Sequence, residues 1–128
     1  MKKTFFFATA LACLLSACES KLVEQVQLIP QAENVEILNG AYALKNLQSI
    51  QAPEAWEATA ENFINDVKKT ANLQVALASE GASVVLVENA SLPKEAYTLS
   101  ITKNGIQLEA NSVEGISHAL TSLHQLIL

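Results

Sequence analysis

Tyr97-Thr98-Leu99-Ser100-Ile101-Thr102-Lys103-Asn104-Gly105-Ile106-Gln107-Leu108-Glu109-Ala110 is the stretch on which the fold turns. Tyr97, Leu99 and Ile101 alternate with Thr98, Ser100 and Thr102. Ile106, Leu108 and Ala110 alternate with Gln107 and Glu109. Successive side chains of a strand point to opposite faces, so each run has one apolar and one polar side. Asn104-Gly105 between them is a hairpin turn signal. A two-residue turn centred there sets Ile101 opposite Leu108 and Leu99 opposite Ala110, which brings every apolar side chain onto one face. That face needs a cover.

The residues after Ala110 supply it. Asn111 is a fair N-cap with Glu114 three residues on, and a helix runs from there through Gly115 to the end of the chain. Val113, Ile116, Leu120, Leu123 and Ile127 form one stripe, while Gly115, Ala119 and Leu126 line a second side that is small or apolar. A helix apolar on two sides is normally covered on both, and one sheet covers only one. Upstream, Pro53 suits a first helical turn. Glu54 and Glu57 follow near the positive end of the macrodipole, and Lys68 and Lys69 stand at the negative end. Between them Trp56, Ala60, Phe63, Ile64 and Val67 recur at helical spacing.

Leu73 to Ala78 and Val84 to Val87 read as strands separated by the small-residue loop Ser79-Glu80-Gly81-Ala82. Val35-Glu36-Ile37-Leu38 and Ala41-Tyr42-Ala43-Leu44 flank Asn39-Gly40, which predicts a further hairpin with strands at about 34 to 38 and 41 to 45. The expected class is α+β: an antiparallel-rich sheet of about six strands with two helices packed on one face.

The N-terminus addresses the compartment. Lys2 and Lys3 precede an apolar run from Phe5 to Leu15 that is short for a membrane span, the pattern of a secretion signal. Leu15-Ser16-Ala17-Cys18 resembles the lipobox of bacterial lipoproteins, in which the cysteine is lipidated and becomes the mature N-terminus. The alternative is an ordinary signal peptide whose cleavage site abuts a cysteine. The expected organisation is a signal peptide at 1–17, a tether at 18–27 and one domain at 28–128, anchored to a membrane of the cell envelope through Cys18. Cys13 lies inside the signal, so no disulfide framework is available and the domain must hold together by burial.

Composition excludes several functions. The formal net charge is −5, and beyond Cys18 there are six lysines, no arginine and thirteen carboxylates, which argues against a nucleic-acid partner. His118 and His124 are six residues apart, about 240° around a helix, and cannot share a metal ion. Glu54, Glu57 and Glu61 share a helix side that reads as a solvated N-terminal face. No Gly-x-Ser-x-Gly elbow or glycine-rich phosphate loop occurs among the four glycines, and no metal or cofactor is expected. Asn89-Ala90-Ser91 is a formal sequon that an exported bacterial chain leaves idle. Trp56 could stack on a sugar, but its spacing with Phe63 marks it as core.

The strand Tyr97-Thr98-Leu99-Ser100-Ile101, the strand Ile106-Gln107-Leu108-Glu109-Ala110, Glu114-Gly115-Ile116 and the ending Leu120-Thr121-Ser122-Leu123-His124-Gln125-Leu126 together resemble the accessory domain that precedes the barrel in family 20 β-N-acetylhexosaminidases. The ending departs from the family's Thr-Leu-x-Gln-Leu pattern by one inserted residue. Leu28-Ile29-Pro30-Gln31 is similar to the proline-containing entry segment of that domain. The resemblance implies two helices buried between the sheet and a (β/α)-barrel, with Gly115, Ala119 and Leu126 facing the barrel. It also implies chemistry that lies in the barrel, where an adjacent aspartate and glutamate assist attack by the substrate's own acetamido group. No Asp-Glu pair occurs here and Asp66 is the only aspartate, so no catalytic residue carries over and the chain by itself is expected to be inactive. The expected identity is a hexosaminidase accessory domain cut off before its barrel. The alternatives are a stand-alone lipoprotein using the same fold as a binding or assembly module, and an accessory domain from another glycosidase family.

Overall fold

The computed structural model describes residues 33–128. Cys18, the signal peptide, the tether and Leu28-Ile29-Pro30-Gln31 lie outside them. A 3-10 turn at Leu44–Asn46 leads to β1 (Ser49–Gln51), and a second at Glu54–Trp56 leads to α1 (Glu57–Ala71). Next come β2 (Ala76–Leu77), β3 (Val84–Glu88), β4 (Tyr97–Thr102), β5 (Gly105–Ala110) and α2 (Val113–Ile127). The five strands lie in the order β2-β1-β3-β5-β4.

The α+β class and the two helices stand as expected, but the strand inventory and its direction differ. β1 pairs in parallel with β2 and with β3, β3 pairs in parallel with β5, and only β4 with β5 is antiparallel. The sheet is mixed and not antiparallel-rich. Strands that a long connection brings back to the same end of a sheet pair in parallel, and α1 is such a connection, carrying the chain from β1 to β2. β1 went unread because Ser49-Ile50-Gln51 offers one apolar residue and no period.

The hairpin expected around Asn39-Gly40 does not form. Gly40 has a left-handed φ of +113° and the chain bends there, but residues 34–38 and 41–43 lie in no strand. A two-stranded hairpin needs a sheet or helix against its apolar side, and Val35 and Ile37 remain more than half exposed. The strand read over 73–78 shortens to Ala76–Leu77.

The later hairpin forms with a shifted register. Ile101 pairs with Ile106, Leu99 with Leu108 and Tyr97 with Ala110. The turn residues are therefore Lys103 and Asn104, and Gly105 already belongs to β5, paired with Thr102. The Thr102 hydroxyl accepts from Asn104 N (3.2 Å) and donates to Gly105 O (3.3 Å), which closes the turn one residue early. Because the slip displaces paired positions by two, each side chain keeps its face.

One face of the sheet carries Ile50, Val84, Leu86, Ile106, Leu108 and Ala110, all buried in a single core with Trp56, Ala60, Phe63 and Val67 of the first helical segment and Ile116, Ala119, Leu120 and Leu123 of α2. The stripe read for α1 is the one that is buried. α1 stops at Asn72, whose left-handed conformation (φ 54°) lets its N–H reach Val67 O. Ser49 and Ser83 stitch β1 to the start of β3: Ser83 Oγ donates to Ser49 O (2.8 Å) and accepts from Ser49 N (2.9 Å), while Ser83 N donates to Ser49 Oγ (3.1 Å).

Candidate functional site

The small residues of α2 were expected to face a second cover, and the start of that helix shows otherwise. Ser112 is the N-cap: its Oγ accepts from Gly115 N (3.1 Å) and donates to Lys94 O. Asn111, expected as the cap, instead donates from Nδ2 to Leu92 O (2.9 Å). The loop before β4 is thereby drawn over the first turn of α2. A Cβ built on Gly115 would stand 2.6 Å from Ala96 O, 3.1 Å from Ala110 Cβ and 3.3 Å from Lys94 O.

Gly115 is small because its own chain crosses it, and Ala119 is likewise fully buried within the domain. Neither is available to a barrel. Of the three residues assigned to that face, only Leu126 reaches the surface, at 41% exposure. The outward side of α2 carries Glu114, His118 and Thr121, with Val113 and Leu128 as exposed apolar residues.

The other polar residues singled out are either tied into the fold or exposed to solvent. Thr70 Oγ1 donates to Asp66 O (2.8 Å) and shares a 2.7 Å hydrogen bond with His124 Nε2, while the imidazole meets the ring of Phe63 edge-on at 6.4 Å. His124 thus pins α2 to α1, and His118 points to solvent. Glu54, Glu57 and Glu61 are exposed, as a solvated face requires, and Trp56 is 5% exposed and part of the core.

The carboxylate of Glu109 accepts from Asn89 Nδ2 (2.9 Å) at one oxygen and from Gln107 Nε2 (2.6 Å) at the other. Glu114 is held below the usual carboxylate range, first by its own backbone N–H, then by Ser112, then by the charge of Lys94 at 3.6 Å. Sequence reasoning missed the Tyr97 hydroxyl's bond to Ser122 Oγ (2.5 Å), which ties β4 to α2. Its signal was a serine flanked by core positions of an apolar helix.

One surface feature is apolar and concave. Tyr42, Leu44 and Leu47 from the segment before β1, Ile101 and Ile106 at the turn end of the hairpin, and Leu123, Leu126 and Ile127 at the end of α2 line a groove of about 180 Å³. Leu44, Ile101 and Leu126 form its exposed rims. The Tyr42 hydroxyl is buried without a partner among the described residues. The stretch that supplies Tyr42 and Leu44 is the one whose hairpin failed to form.

Residues 25–128 match the family model of glycosyl hydrolase family 20, domain 2. A β-hexosaminidase of Vibrio furnissii is 29% identical over 102 residues, which are 80% of this chain and 17% of that protein. Among solved structures, the GH20 exo β-N-acetylglucosaminidase of Vibrio harveyi in complex with N-acetylglucosamine superposes with a TM-score of 0.70 at 18% identity, over 80% of this chain and 16% of that one. The β-N-acetylhexosaminidase of Bacteroides fragilis NCTC 9343 gives 0.67 at 22% identity, over 78% and 21%. These two share the fold. The chain therefore spans about a fifth or less of each of these relatives, and what it matches is a part of them distinct from most of their length. The chain belongs to glycosyl hydrolase family 20, as the domain 2 of that family.

Proposed function

We propose that this chain is a non-catalytic accessory unit of a β-N-acetylhexosaminidase, serving to brace the (β/α)-barrel that hydrolyses terminal N-acetylhexosamine from glycans. The observation that carries the reading is the match to domain 2 over residues 25–128, set beside the small share of each relative that this chain spans. The carboxylates fit a role without chemistry, because those of Glu109 and Glu114 serve hydrogen bonds and a helix terminus. The bracing surface is the outward side of α2, with Val113 and Leu128 as its exposed apolar residues. Export as a lipoprotein through Cys18, cleaved after residue 17 and tethered by residues 18–27 to a membrane of the envelope, is part of the same proposal and rests on the sequence. The domain would then begin at about residue 28.

The test is direct. Purified chain is incubated with an aryl N-acetylhexosaminide, and release of the aryl group above a blank would overturn the non-catalytic reading. Metabolic labelling with a fatty acid should mark the chain and fail to mark Cys18→Ser; equal labelling of both would remove the lipoprotein assignment. Sequencing the DNA beyond the codon for Leu128 then asks whether a barrel with an Asp-Glu pair is encoded there.

A second reading gains from one observation. Gly115 and Ala119 are covered by the chain itself, so α2 needs less from a neighbour than its sequence suggests. That favours a stand-alone lipoprotein in which the same fold acts as a binding or assembly module. Co-purification of a barrel-bearing hexosaminidase with the chain from its native envelope would decide for bracing.

A further inference from the structure

The sheet order β2-β1-β3-β5-β4 leaves β2 and β4 as its edges. An edge strand carries a row of N–H and C=O groups unmatched within its own sheet, and proteins guard such edges by shortness, proline or charge. β2 is guarded by shortness, having two residues. β4 has none of these guards. Tyr97-Thr98-Leu99-Ser100-Ile101-Thr102 is six residues long, without a charge or a proline, and Thr98, Ser100, Ile101 and Thr102 are exposed. β5 pairs with one side of it, antiparallel, so alternate residues bond to β5 and those between turn their N–H and C=O to the open side. Among the described residues no strand lies on that side.

The residues flanking β4 say what fits there. Glu95 and Lys103 stand four residues before and after Leu99, both exposed and neither in an ion pair among the described residues. A two-fold axis through Leu99, perpendicular to the sheet, would lay a second β4 antiparallel to the first with the apolar faces on the same side. Leu99 then faces its own copy, Tyr97 faces Ile101 and Thr98 faces Ser100, so aliphatic and aromatic groups meet on one face and hydroxyls on the other. The same register sets Glu95 opposite Lys103, and symmetry makes that pair twice. Moving the axis to Thr98 would put Glu95 opposite Ile101, and moving it to Ser100 would put Lys103 opposite Tyr97. Only the register centred on Leu99 matches charge with opposite charge.

We propose that the outer edge of β4 is an interface for a second copy of this chain, the two β4 strands pairing antiparallel about Leu99 and joining both sheets into one. Backbone hydrogen bonds supply the attraction, and the paired Glu95 and Lys103 fix the register and reject a slipped one. The half-exposed Ile101 gains the ring of Tyr97 as a cross-strand neighbour. A single strand edge buries little surface, so the dimer is a weak one that forms where the chain is concentrated. The interface lies on the sheet edge and uses no residue of α2.

Sedimentation equilibrium of the full chain in density-matched detergent tests this, with charge reversal as the probe. The parent should dimerise at about 100 µM and dissociate on dilution, as small interfaces do. Glu95→Lys sets lysine against lysine and Lys103→Glu sets glutamate against glutamate, so each variant alone should raise the dimer Kd at least about tenfold. Mixed in equal amounts, the two variants carry opposite charges at both pairs and should regain the parent's affinity as a heterodimer. Both substitutions fall on exposed residues outside the strands, and the recovery in the mixture shows that each variant is folded. A parent that stays monomeric at about 100 µM overturns the proposal. So does a dimer that both variants form as well as the parent, which would place association elsewhere on the chain, and so does a loss that mixing fails to reverse. None of these outcomes bears on the bracing role, which belongs to α2.

Discussion

Replacing Gly115 by alanine asks whether the first turn of α2 is covered by its own chain. On an uncovered helix face the change should help, since alanine is favoured over glycine in a helix by about 1 kcal/mol. Here the new methyl would stand 2.6 Å from Ala96 O and 3.1 Å from Ala110 Cβ. An ordinary carbon-to-oxygen contact is about 3.3 Å or more, so one partner must give by roughly 0.7 Å. The struck oxygen belongs to the backbone just before β4, in a turn where Ala96 N donates to Pro93 O, and cannot swing away as a flexible side chain would. Overpacking of this kind costs about 1–3 kcal/mol. Taking the upper part of that range and setting the helix gain against it leaves a net loss of about 1–2 kcal/mol. For a domain of this size that lowers Tm by about 5–15 °C. Thermal unfolding followed by circular dichroism reads it directly, with His118→Ala on the exposed side as a control expected within about 0.5 kcal/mol of the parent. A Gly115→Ala chain as stable as the parent, or more so, would refute the self-covered helix and return Gly115 to an outward face.

The hydrogen bonds around α2 set further outcomes. Ser112→Ala removes both the cap on Gly115 N and the tie to Lys94 O, and chemical denaturation should show a loss of about 1–2 kcal/mol, whereas Asn111→Ala should cost the helix less. Tyr97→Phe leaves the buried Ser122 hydroxyl without its partner and should destabilise by about 1–3 kcal/mol, with Tyr97→Phe/Ser122→Ala recovering part of that in a double-mutant cycle. Glu114 has a folded pKa below its unfolded value, so its contribution is present above the unfolded pKa and disappears as pH falls through the folded one. Glu114→Gln should accordingly flatten the acid limb of the stability profile and leave the neutral and alkaline range parallel to the parent, and an unchanged acid limb would remove the group from that account.

How much of this was legible in the sequence depends on how local the cause is. α1 was readable because Glu57, the Ala60-to-Val67 part of the stripe and Lys68-Lys69 act within one element, whereas Pro53, Glu54 and Trp56, read into the same helix, belong to the 3-10 turn before it. The β4–β5 hairpin was readable for the same reason, and its turn was misplaced only because the Thr102 hydroxyl closes it a residue early. β1 was invisible, since three residues with one aliphatic become a strand only because β2 and β3 flank them. The reverse error came at 34–45, where a strong local turn signal met no sheet edge to complete it. Gly115 and Ala119 illustrate the hardest case: small residues on a helix face announce a close approach but not by what, and the loop that approaches is fixed by Ser112 and Asn111. That no aspartate stands next to a glutamate, by contrast, is read from the residue list alone.

The pairing of β1 with β3 and of β3 with β5 also sets the order in which the chain can assemble. Only β4 and β5 pair across a tight turn; Ile50 waits for Leu77 and Val84, and Val84 waits for Ile106. Such distant closures are slow relative to hairpins and helices. During synthesis the first half of the chain therefore emerges with its apolar α1 stripe and no completed sheet to receive it, and the core closes only when β5 pairs with β3, the middle strand of the five. Substitutions at Leu108 or Ile106, in the strand that joins the β4–β5 hairpin to β3, are expected to slow folding, while those at Ile50 should mainly speed unfolding, which stopped-flow folding and unfolding rates would read.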